Sequence, residues 1–315
     1  MAEVPARAGL VGHPSDGFGG ATLSVTIENF SARVHAHAAS ELDIAPEGDG
    51  QWPEGGLPLV SAAVERFARH CDSVSAQFDP VVHLRYRSMI PRQVGLGGSS
   101  AIVLATIRAL GSVADVHLDP ADLAHLALAV ETEELGIAAG LQDRVVQSYG
   151  GLVFMDFDPQ HVAAEGHGRY EPLDPALLPP LFIAWRPDAG GSSGAAHAAV
   201  RARFDRGEPR VADAMAALAQ LAHEARDALL AGDHASFAAA LDAGYYARAS
   251  IYDLDPRHTA LVAAARHRGL SATYTGSGGA IVGVASDPEA LRQLEDDLAA
   301  DGVRLEPALV TPAQR

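Results

Sequence analysis

The sequence predicts a two-domain protein of mixed helix and strand, of the α+β or α/β type, on three observations. Its 315 residues, 48% of them hydrophobic, are enough for two ordinary domains and their cores. Strand-like apolar runs alternate with segments of helical period, and no internal repeat is visible. Residues 158–180 mix prolines, glycines and charges and form the sharpest break in composition, which sets domains at 1–175 and 176–315.

The elements follow in order. Apolar residues from Ala6 to Val11 read as a strand that feeds a turn-rich loop, Gly12-His13-Pro14-Ser15-Asp16-Gly17. Residues 22–39 alternate and are β-branched, as a hairpin would be, and residues 41–57 read as a loop. A strand over residues 81–86 leads into the glycine-rich loop, and the apolar run 101–110 has helical length. Asp119-Pro120 starts a helix running to about Leu135, and a short helix follows Gly140. Strands are expected at 152–157, 181–185, 271–275 and 280–285. Met215, Leu218, Ala222, Ala225 and Leu229 fall on one helical face, and Asp255-Pro256 and Asp287-Pro288 open two more helices.

Charge narrows the partners. The formal net charge of −17 is spread along the chain, and the cations lie among carboxylates, so no basic face for nucleic acid is expected. All 23 basic residues are arginine, which excludes a Walker-type lysine and Schiff-base chemistry. The single cysteine, Cys71, cannot form an internal disulfide and reads as a small buried hydrophobe. The first residues lack the pattern of a signal peptide and no apolar run has transmembrane length, so a cytoplasmic protein without membrane partners is expected.

The segment Pro91-Arg92-Gln93-Val94-Gly95-Leu96-Gly97-Gly98-Ser99-Ser100-Ala101 carries the strongest chemical signal. Glycines there let main-chain amides converge at a helix N-terminus, whose positive dipole end favours phosphate. Ser99 and Ser100 are placed to cap the helix and to offer hydroxyls to a phosphate or a metal ion. A plain glycine turn with a serine cap is the bland alternative.

This run resembles the phosphate-binding motif of the GHMP kinases. Two further segments resemble that family's motifs in the same order: Arg7-Ala8-Gly9-Leu10-Val11-Gly12-His13-Pro14-Ser15-Asp16, and Thr275-Gly276-Ser277-Gly278-Gly279-Ala280. The resemblance implies an α+β two-domain kinase with ATP and substrate in an interdomain cleft. Pro91, Gly95, Leu96, Gly97, Gly98, Ser99, Ser100 and Ala101 would bind ATP. Asp16, Gly276, Ser277 and Gly278 would bind substrate, and Ser100 and Glu131 would hold Mg²⁺, with Glu133 and Glu134 as rivals to Glu131. Asp143 would act as base and Arg7 would stabilise charge. The bland readings are solvated helix charges for the carboxylates, an Asx turn for Asp16 and a strand-end salt bridge for Arg7.

The segments around Gly12, Pro91 and Gly140-Leu141-Gln142-Asp143-Arg144 resemble the glucuronokinase branch most, which implies a sugar-acid substrate phosphorylated at its anomeric hydroxyl. A substrate carboxylate would then need a cation, for which Arg92, Arg144, Arg186 and Arg248 are candidates by type. His13-Pro14 departs from the Glu-His of many sugar kinases, and Ala280 replaces a motif glycine, so the substrate cannot be copied from galactokinase. Alternatives are a heptose-phosphate or galactose kinase, a non-catalytic sensor on the same fold, and a dinucleotide-binding protein, although no Gly-x-Gly-x-x-Gly run follows an early strand. His35 and His37 read as ordinary strand residues, Trp52 as an adenine stack or a half-buried loop residue, and Tyr245-Tyr246 as sugar-pocket lining or helix core. A monomer or a homodimer fits equally.

Overall fold

Two strands, β1 (Ala2–Val11) and β2 (Ala21–Ala38), carry the chain between two units of the computed structural model, which describes residues 1–48, 56–188 and 194–310. The first unit comprises Met1–Ala6, Glu28–Ile90 and Gly97–Tyr149, and the second comprises Arg7–Ile27, Pro91–Leu96 and Gly150–Arg315. The division expected near residue 175 falls inside the second unit.

In the first unit, residues 32–38 of β2 pair antiparallel with β4 (Val82–Ser88), which pairs in parallel with β3 (Asp43–Pro46). The hairpin expected over residues 22–39 is therefore one continuous strand. Its midpoint, Glu28-Asn29-Phe30-Ser31, has no glycine or proline to turn it, and β3 occupies part of the segment expected as a loop. Between β3 and β4 lies α1 (Gly56–Ser73), which sequence reading passed over; it buries Leu59, Val60, Ala63, Val64, Phe67 and Cys71 at helical spacing.

The glycine-rich loop leads into α2 (Gly98–Ala114), followed by α3 (Pro120–Ala129) and α4 (Leu141–Tyr149). The helix expected to reach Leu135 stops earlier as α-helix and continues as a π turn, Val130–Glu134. Helices α1 and α2 pack together, as do α3 and α4.

The second unit holds β5 (Leu152–Asp156), which pairs with residues 21–25 of β2, then α5 (Pro159–Glu165) and β6 (Arg169–Leu173), which pairs with β5. Residues 158–180 are thus folded rather than a linker. The Asp-Pro signal that opens helices elsewhere operates there too, since Asp158 accepts from the His161 amide at 2.9 Å and Asp174 from that of Ala176 at 2.9 Å.

Next come β7 (Leu181–Trp185), α6 (Gly194–Asp205), α7 (Pro209–Leu230), α8 (His234–Ala249), α9 (Pro256–His267), β8 (Ala272–Tyr274), β9 (Ala280–Val284), α10 (Pro288–Ala299) and β10 (Arg304–Pro307). The last four strands form an antiparallel sheet in the order β10-β7-β9-β8. The five residues expected on one helical face are all buried in α7. Phe182, Leu261, Tyr274 and Leu294 centre one apolar cluster, and Val211, Met215, Leu218, Ile251 and Tyr252 another. Among the described residues, no helix is long and apolar enough to cross a membrane.

Candidate active site

The glycine-rich loop reaches α2 through three left-handed residues, Gln93 (φ 55°), Gly95 (φ 78°) and Gly97 (φ 72°). Gly97 is the N-cap and makes no side-chain capping bond. This corrects the expectation that Ser99 or Ser100 caps the helix: a cap must precede the first helical residue, and both serines follow Gly98. Among the described residues the first-turn amides of α2 have no side-chain acceptor, at the positive end of a 17-residue helix.

Ser100 is fully buried, and its hydroxyl lies 2.6 Å from Gln147 Oε1 and 3.1 Å from the Gly97 carbonyl. The Gln147 amide nitrogen donates to the carbonyls of Pro5 at 2.8 Å and Gly97 at 3.0 Å. Arg108 of α2 donates to the Ser148 carbonyl at 2.7 Å, near the negative end of α4. Gln147 thus fixes the carbonyl that enters α2. Sequence reading gave it no role, because a lone glutamine in a helix carries no chemical signature.

Glu131 sits in the π turn and is 1% exposed, whereas Glu133 and Glu134 bond to Arg66, with Arg69 also bonding Glu134. Both Glu131 contacts run through Oε2, from Arg144 Nε at 2.8 Å and from Nη2. Arg144 Nη1 donates to the Gly140 carbonyl at 2.8 Å. Asp143 lies beside this pair in the first turn of α4, its side chain 22% exposed and its Oδ2 3.8 Å from Arg144 Nη1.

The remaining predicted residues fall in the second unit. Arg7 is buried, and its Nη1 donates to the carbonyls of Gly95 at 2.5 Å and Thr275 at 2.8 Å. The Arg7 amide donates to Leu96, and that of Gly9 to Thr275. These bonds tie the N-terminal motif, the entry to the phosphate loop and the C-terminal glycine motif into one network. Both Nη1 hydrogens serve main-chain carbonyls, so the structure gives Arg7 a bracing position that a charge-stabilising reading did not anticipate.

Gly276 is required by this closeness. A Cβ there would stand 2.6 Å from the Gly95 carbonyl oxygen and 2.8 Å from Arg7 Nη1. Gly276→Ala is therefore expected to destabilise the protein by about 1–3 kcal/mol in urea titrations, from overpacking against backbone. A loss below about 0.3 kcal/mol would show that the loops part freely.

Asp16 is half-buried in a 3₁₀ turn, Ser15–Phe18, beside Gly17, whose carbonyl accepts from Arg201. Ser277 is exposed and Gly278 is buried, with His258 Nδ1 2.8 Å from where a Gly278 Cβ would be.

His37 faces His83 across the β2–β4 pair with rings 5.3 Å apart, and no cluster of three metal-ligating side chains occurs among the described residues. Tyr245 is buried in helix core whereas Tyr246 is 61% exposed. Trp52 lies outside the described residues.

Residues 58–151 match the family model for the GHMP kinases N terminal domain, and residues 225–304 match that for the GHMP kinases C terminal. The chain is 34% identical over 333 residues to Glucuronokinase 1 of Arabidopsis thaliana, covering 98% of this chain and 91% of that one. It is 35% identical to Probable glucuronokinase 2 of the same plant, with the same coverage. The fold is similar to that of Streptococcus pneumoniae phosphomevalonate kinase solved with phosphomevalonate and AMPPNP, with a TM-score of 0.81, 15% identity and coverage of 97% and 98% of the two chains.

Proposed function

Because the chain belongs to the GHMP kinases, we propose that it transfers the γ-phosphoryl group of ATP to the anomeric hydroxyl of glucuronate, giving glucuronate 1-phosphate and ADP. One observation carries the choice of substrate: similarity to a glucuronokinase that runs through 98% of the chain rather than through a shared loop. The uncapped N-terminus of α2 supports phosphate binding independently, because its amides and dipole supply the attraction that a chain of net charge −17 otherwise lacks.

In this reading Gly95, Leu96, Gly97, Gly98 and Ser99 cradle the nucleotide phosphates, with Pro91 and Ala101 at the ends of the loop. Asp143 accepts or orients the proton of the attacking hydroxyl. Asp16 accepts sugar hydroxyl bonds, and the loop Gly276 to Gly278 adds main-chain contacts. Arg7 acts as a positioning residue by holding Gly95 and Thr275.

The residues proposed for Mg²⁺ fit that ion. Magnesium in kinases usually takes one or two protein oxygens and completes its shell with phosphate and water. Ser100 has a hydroxyl, and Glu131, with both arginine contacts on Oε2, keeps lone pairs on Oε1. When bound, the ion neutralises charge on the transferring phosphoryl group.

ADP production across uronic acids and neutral hexoses tests the reading. Glucuronate is expected to exceed glucose and galactose in kcat/KM by at least about tenfold, since a site built for a charged group rejects analogues that lack it. A preference for a neutral hexose would refute the glucuronate assignment and leave the kinase assignment intact.

A further inference from the structure

A guanidinium is always charged in proteins, and burying it without a carboxylate is costly enough that buried arginines are normally paired. Of the four arginines that sequence reading offered to a substrate carboxylate, three have other settings. Arg144 is paired with Glu131, Arg186 bonds Asp188 through Nε and Nη2 at 3.2 Å each, and Arg92 stands exposed on the glycine-rich loop.

Arg248 differs from all three. It lies in the last turn of α8 and is 3% exposed. Its Nε has no hydrogen-bond partner, and it takes part in no ion pair among the described residues. Its carbon Cζ sits 5.2 Å from the ring centroid of Tyr252 and 5.5 Å from that of Tyr274. These aromatic faces give a cation partial compensation and keep water away, and they leave the in-plane donors to an acceptor.

The neighbourhood is the predicted substrate side of the second unit. Tyr274 directly precedes the motif Thr275-Gly276, whose first carbonyl is held by Arg7. Tyr252 accepts or donates a bond with His197 Nδ1 at 3.0 Å, and the charges of Asp16 and Arg201 reach its hydroxyl. Desolvation pushes the Arg248 guanidinium below its ordinary range, and the Arg7 charge adds to that push. Arg7 and Arg248 are thus two cations within electrostatic range of one another.

We propose that Arg248 is the specificity residue that binds the carboxylate of a uronic acid substrate, its fork taking both carboxylate oxygens between the rings of Tyr252 and Tyr274. The inference rests on the glucuronate reading and adds to it the atom group that tells the acid from its neutral counterparts. A site that leaves a buried cation unpaired when a neutral sugar binds discriminates through that loss.

The test compares wild type, Arg248→Met and Arg248→Lys on glucuronate, glucuronamide and glucose, with ADP release as readout and thermal melting as a check on folding. In Arg248→Met the ratio of kcat/KM for glucuronate over glucuronamide is expected to fall by at least about 30-fold, mainly through KM, the low end for truncating one partner of a buried charge pair. Arg248→Lys, which keeps the charge without the fork, is expected to fall between. A ratio unchanged in both variants, or an equal loss on all three sugars, would overturn the assignment to Arg248. Should Arg248→Met not fold, the ratio in Arg248→Lys decides alone. A wild type that does not prefer glucuronate to glucuronamide would instead sink the glucuronate reading, before any variant is compared.

Discussion

Asp143→Asn should lower kcat by about 10²- to 10⁴-fold while leaving nucleotide affinity within about threefold of wild type. The substitution keeps the shape of the side chain and removes only its charge and its capacity to take a proton. The backbone of α4 stays anchored, because Arg108 holds the Ser148 carbonyl and Gln147 bonds Pro5 and Gly97 at the other end of the same helix. The phosphate loop is therefore undisturbed, so nucleotide binding, followed by calorimetry, separates a lost proton acceptor from a collapsed site. A kcat within threefold of wild type would remove Asp143 as the base and leave it a helix-start carboxylate.

The second large effect is on stability. Arg144→Met should cost about 3–5 kcal/mol, read from urea unfolding, because it strands a Glu131 carboxylate that is 1% exposed. Replacing both partners with apolar groups of similar volume, as in Glu131→Leu with Arg144→Met, should recover most of that loss. The double variant should still lack normal turnover if Glu131 serves the metal. A single Arg144→Met variant that loses under about 1 kcal/mol would mean that water or another group solvates Glu131 once the arginine is gone.

Much of this architecture was legible in the sequence, for physical reasons that also explain the exceptions. Glycines at 95 and 97 announce left-handed backbone, and Asp-Pro pairs announce helix starts, because each depends on a local conformational preference. The buried face of α7 was legible because amphipathic spacing is local as well. Where tertiary partners decide, the sequence was silent. Continuity of β2 depends on β4 and β5 supporting its two parts, and the bonds of Gln147 join residues far apart in the chain. The π turn that buries Glu131 while Glu133 faces Arg66 was hidden under an uninterrupted helical pattern. Arg248 could be named by type alone; its burial beside two rings, without an ion-pair partner among the described residues, emerges only when α8 and β8 are packed.

The brace made by Arg7 has a consequence for how the protein comes into being. Its two acceptors lie 88 and 268 residues further along the chain. On a ribosome adding 5–20 residues per second, Arg7 emerges roughly 13–54 s before the Thr275 carbonyl that it must grip. All segments of the first unit are made by residue 149, whereas the bonds that unite the two glycine motifs must await almost the entire chain. Nascent chains halted before residue 275 should therefore carry a finished phosphate-loop helix and an unassembled second glycine motif, with Arg7 still lacking its Thr275 acceptor.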